Sequence, residues 1–224
     1  MESGEGMFKA KLIIMKTLTE KFHVLQKLNE KTKTFIFQPC LNAVEIEKFE
    51  SKFNISLPED YKYTIKNLAN GIYYNGLESL RVFEKMDPDN AFFLQDEYVW
   101  SEFPLDKRLY FGYPGQDIQK EEDEESWYPY ETEYVNDSNP YNKGGTTYNT
   151  INILSTGCGG YDFIVVNGKE KGNIWCYNKL SNNDIYPLYN FEKNMKRISF
   201  GDWLLFTVEK LIDFEQKKIT DNNP

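Results

Sequence analysis

The most regular alternation of apolar and polar positions lies near the C-terminal end. Phe200, Trp203, Leu204, Thr207, Val208, Leu211 and Ile212 recur at the three- and four-residue steps of one helix face. Ser199 precedes them as an N-cap with Asp202 three residues on, an acidic form of the capping box. A helix is expected to start there, with residues 217–224 as a frayed polar tail. A second stripe, Tyr61, Ile65, Leu68 and Ala69, predicts a helix over 58–69. Pro58 suits its first turn, Glu59 and Asp60 meet the positive end of its dipole, and Asn70-Gly71 stops it. Ala43, Ile46, Phe49 and Phe53 share a face of a helix over 42–53, linked to the next by Asn54-Ile55-Ser56. Leu18, Phe22, Leu25 and Leu28 mark an earlier helix over 8–28, ended by Lys31–Thr34, and Phe35–Phe37 reads as a short extended segment.

After Gly71 the period changes. Tyr73, Tyr74 and Gly76, followed by Ser79–Phe83, predict a hairpin in which Leu80 and Val82 face one side and Arg81 and Phe83 the other. Asp87–Asn90 marks a turn, 91–103 is ambiguous, and Arg108–Gly112 reads as another strand. Residues 115–145 form a long excursion of weak periodicity, and loops of that length in a domain are commonly functional or disordered. Strands resume at Ile151. Phe163–Val166 is continuous and apolar, as expected of a strand covered on both faces, and Asn167–Gly172 turns it back into Ile174–Tyr177. Residues 178–195 are turn-rich, with Tyr186, Pro187, Tyr189 and Phe191 giving them apolar weight. The fold class is therefore α+β: one domain over 8–216 after a disordered start at 1–7, with N-terminal helices, a central mainly antiparallel sheet and a C-terminal covering helix.

Two blocks carry a family likeness. The helix-link-helix passage ending in Leu57-Pro58-Glu59-Asp60-Tyr61-Lys62 and closed by Asn70-Gly71 is one. The other is Ile151–Ile153, Gly157-Cys158-Gly159-Gly160, Tyr161–Val166, Gly168, Gly172 and Asn173–Tyr177, followed by Phe200-x-x-Trp203-Leu204. Together these resemble the SUKH superfamily, which includes Smi/Knr-type cell-wall regulators of yeast and many bacterial toxin-immunity proteins, over roughly residues 39–212. The resemblance implies the same α+β arrangement and a protein-binding function.

Charge adds a candidate surface. The formal net charge is −9, and residues 116–134 hold eight acidic side chains against Lys120 alone, a local −7. Nucleic-acid binding needs a cationic face, which this pattern does not offer, so a basic protein partner is expected. Trp127, Tyr128 and Tyr130 stand beside Asp117, Glu121, Glu122, Asp123, Glu124 and Glu125. Aromatic anchors with steering carboxylates are a combination that protein interfaces use, and these nine residues are the candidate partner-binding set. The competing explanation for the run is a solubilising insertion.

Catalytic chemistry is weakly motivated. His23 is the single histidine, so no multi-histidine metal site or His-based triad is expected. Thr156–Gly160 lacks the spacing of a phosphate cradle and is read as a tight turn using glycine at positive φ. Cys40, Cys158 and Cys176 lack metal-type spacing and are expected to be free, structurally buried thiols. With no apolar run long enough to span a membrane and no cleavable leader, a cytoplasmic address is expected. The function expected is that of a non-enzymatic immunity protein, without metal or cofactor, acting as a monomer or weak homo-oligomer. It would block a cognate toxin sterically and electrostatically, a basic nuclease being the target class the charge suggests. The rivals are a cell-wall-type regulatory scaffold and, more remotely, a carboxylate-dependent hydrolase.

Overall fold

A computed structural model describes residues 4–86, 102–111, 132–134, 149–178, 184–190 and 196–221. In chain order they form α1 (Gly4–Thr32), β1 (Phe35–Phe37), α2 (Ala43–Phe53), α3 (Glu59–Asn67), β2 (Ile72–Tyr74) and β3 (Leu77–Phe83). These are followed by β4 (Arg108–Tyr110), β5 (Thr132–Tyr134), β6 (Thr150–Gly157), β7 (Gly160–Val165), β8 (Ile174–Asn178), β9 (Asp184–Pro187), β10 (Tyr189–Asn190), β11 (Lys196–Arg197) and α4 (Phe200–Asp221). The α+β class is as expected. The chain divides into two compact units, each built from separate stretches: unit 1 is Met1–Lys52, Leu57–Met86 and Ser199–Pro224, and unit 2 is Phe53–Ser56 and Asp87–Ile198.

In unit 1 the two long helices lie side by side. Their neighbours rise together: Ile14 beside Gly201, Lys21 with Glu209 at 2.9 Å, Thr32 with Glu215, and Thr34 with Lys218 at 3.0 Å. The pair is therefore parallel. Leu18, Phe22 and Leu25 on α1 and Phe200, Trp203, Leu204, Val208, Leu211 and Ile212 on α4 are buried, as their spacing predicts. The C-terminal helix thus has α1 as its main neighbour, and it also meets β3, where the Phe200 ring stands edge-on to Phe83 at 6.3 Å. Both long helices exceed the expected bounds. The last turns of α4 are tied rather than frayed, because Lys218 donates to Thr34 Oγ1 and Glu215, fully buried, accepts from Thr32 Oγ1.

The short helices follow their sequence signals closely. On α2, Ile46 and Phe49 are buried while Ala43 is exposed. Its start is a reciprocal capping box: Glu45 N–H donates to Asn42 Oδ1 at 3.0 Å and Asn42 N–H to Glu45 Oε2 at 2.7 Å. Pro58 stands just ahead of α3 as its N-cap, and Tyr61, Ile65 and Ala69 are fully buried. Asn70-Gly71 does more than stop the helix. Asn70 Oδ1 accepts Met86 N–H at 2.9 Å, and Gly71, at φ 113°, passes so close to Lys85 that a Cβ there would stand 2.9 Å from the Lys85 nitrogen. The strands β1-β2-β3 form an antiparallel sheet with register shifts along β2. Val82 and Phe83 are both buried, so the inner end of β3 is covered on both faces, where alternation alone predicts one.

Unit 2 holds a six-stranded sheet in the order β5-β4-β9-β8-β7-β6, antiparallel except for β4 and β5. The β6–β7 hairpin turns through Gly157, Cys158 and Gly159 at φ 86°, 49° and 84°, the positive-φ connection expected of that stretch. Phe163, Ile164, Val165 and Val166 are fully covered, also as expected. β9 falls in the stretch read as turns. Among the described residues, no helix is long and apolar enough to cross a membrane.

Candidate functional site

The nine candidate partner-binding residues, Asp117, Glu121, Glu122, Asp123, Glu124, Glu125, Trp127, Tyr128 and Tyr130, lie outside the described residues. The strands on either side of them are described. The chain leaves the sheet at Phe111, after β4, and re-enters at Thr132 in β5, which pairs parallel with β4 through Arg108↔Thr132 and Tyr110↔Tyr134. Parallel neighbours need a crossover, and here the crossover is the acidic segment. β5 ends the strand order, so that connection is anchored at one edge of the sheet.

The register of the sheet sorts its two faces. Leu109, Phe163, Val165, Trp175 and Ile185 occupy one, joined by Phe103 and Leu105 in a single apolar cluster. There Phe103 stands edge-on to Trp175 at 4.9 Å and to Phe163 at 5.9 Å. The neighbouring residues of each strand carry a polar row on the opposite face: Asp162 of β7 opposite Cys176 of β8, Cys176 opposite Tyr186 of β9, and Asp184 opposite Tyr110 of β4. Arg108, buried, donates from Nε and Nη2 to Asp184 Oδ2 at 2.8 and 2.7 Å.

Proton positions in this row follow from burial. Burial pushes the Asp162 carboxyl up to about 6, partly offset by the bond that the Cys176 thiol donates to it. Burial likewise raises the Cys176 thiol, and the neighbouring Asp162 charge adds to the rise. The Tyr186 hydroxyl is also raised, first by burial and then by its bond to Cys176. The chain of donors runs from Tyr186 to Cys176 to Asp162. A thiol held protonated is a poor nucleophile, since the thiolate is the reactive form. Arg108 and Asp184, for their part, neutralise each other. This geometry makes a largely buried polar row across β7, β8, β9 and β4. Sequence reasoning missed it, and the available signal was the alternation of Asp162, Asp184 and Arg108 with large apolar neighbours.

A second cluster holds the segment ahead of β4. The Arg197 guanidinium lies over the Trp175 ring at 5.3 Å and the Tyr189 ring at 4.7 Å, and donates to the Asp106 carbonyl. Glu170 stands 3.5 Å from Arg197 Nε and accepts from Trp175 Nε1 at 3.3 Å.

Cys176 is buried as expected, but Cys40 and Cys158 are exposed, which corrects the expectation that all three thiols are structural. Cys158 is carried on the tip of the β6–β7 hairpin, where a tight turn leaves no room for burial, and Cys40 follows Pro39 in the open link between β1 and α2. His23 is exposed on α1. Among the described residues no group of three or more His, Cys, Asp or Glu side chains is placed to hold a metal ion. No family model, curated protein or solved structure matches this chain significantly.

Proposed function

We propose that this chain is a non-enzymatic, protein-binding immunity protein of the SUKH type that blocks a cognate toxin bearing a cationic surface, by occupying it. The observation that carries this reading is the division of charge. The stretches of unit 1 contain 16 basic and 16 acidic side chains, those of unit 2 contain 10 and 19, so the whole −9 belongs to unit 2. Most of that excess sits in the β4–β5 crossover, anchored at both ends on one sheet edge. An acidic, aromatic-bearing connection held on a rigid sheet is suited to steering and then gripping a basic protein. The two residue blocks that resemble the superfamily support the same reading. One closes the core of unit 1 through Tyr61, Asn70 and Gly71, and the other makes the β6–β7–β8 hairpins of unit 2.

Co-expression with a toxin encoded beside this gene tests the proposal. Rescue of growth and co-purification of the pair are the expected results, and failure of both sinks the reading. Replacing Glu121, Glu122, Asp123, Glu124 and Glu125 by their amides is expected to slow association about tenfold or more at low salt and to flatten its salt dependence. Unchanged on-rates would remove the segment from the interface.

A further inference from the structure

We draw no further inference here: the strongest candidate, the exposed stripe of Phe206, Lys210 and Phe214 along α4, is an apolar helix face for which nothing in the structure shows what covers it.

Discussion

Units 1 and 2 bury carboxylates in different ways. In unit 1, Asp60 is sunk beneath the start of α4, where its oxygens accept backbone N–H groups, from Gly201 at 2.8 Å and from Tyr61 at 3.0 Å. Its charge faces the positive end of a helix and amides that are fixed in place. In unit 2, Asp184 is matched by the Arg108 guanidinium and Asp162 by a thiol that cannot neutralise it. Backbone donors give a carboxylate support that no single side-chain substitution can remove. Side-chain donors can be removed by a single substitution, so unit 2 is the more sensitive to mutation along its polar row.

The sharpest break in that comparison is Arg108→Ala, which removes the guanidinium whose Nε and Nη2 hold buried Asp184 at 2.8 and 2.7 Å. A loss of about 3–5 kcal/mol is expected in urea denaturation. The paired change Arg108→Met/Asp184→Leu should restore most of it, because the desolvation penalty is removed with the charges. A single variant as stable as the parent would show that the pair contributes nothing.

Asp162→Asn acts in the opposite direction. The folded state holds this carboxyl near 6, above its unfolded value of about 3.9, so charging it costs stability as pH rises through that window and the full penalty stands above it. The variant is expected to gain up to about 3 kcal/mol over the parent at pH 7.5, falling toward zero below about pH 4. A gain independent of pH would assign the effect to packing instead.

Unit 1 offers two smaller tests. Asp60→Ala leaves the Gly201 N–H without its acceptor and is expected to cost about 1–3 kcal/mol in thermal or urea unfolding. Tyr61→Phe removes a hydroxyl that is fully buried and has no hydrogen-bond partner, and should stabilise by about 1 kcal/mol. A destabilised Tyr61→Phe would mean that a water molecule or another group satisfies that oxygen in solution.

How far the sequence reveals these features depends on the range of the interaction. The α4 stripe and its Ser199/Asp202 start were legible because cap and face are written within a few residues; Asp202 N–H does donate to Ser199 Oγ at 3.2 Å. The fully covered Phe163–Val166 strand was legible for the same reason. Asp60 and Glu215 were not, since the partners that bury them, Gly201 and Thr32, are distant in sequence and polar residues on a helix are normally assigned to its wet side. β9 was missed because Asp184–Pro187 is short and ends in proline, signals of a turn that pairing with β4 and β8 overrides. The acidic candidate site was legible only as charge and ring composition, which say what a surface would attract but not how it is shaped.

The parallel run of α1 beside α4 bears on how the molecule is made. Two helices pointing the same way cannot be closed by a short hairpin, and here every residue from 33 to 199 intervenes between them. During translation α1 is made long before α4, and the side of its apolar stripe that α4 covers stays open until Phe200–Asp221 leaves the ribosome. The β6–β7–β8 meander of unit 2, by contrast, needs only close neighbours in the chain. Contacts of such wide sequence separation form slowly, so nascent chains halted before Phe200 should be the species that chaperones hold and proteases remove.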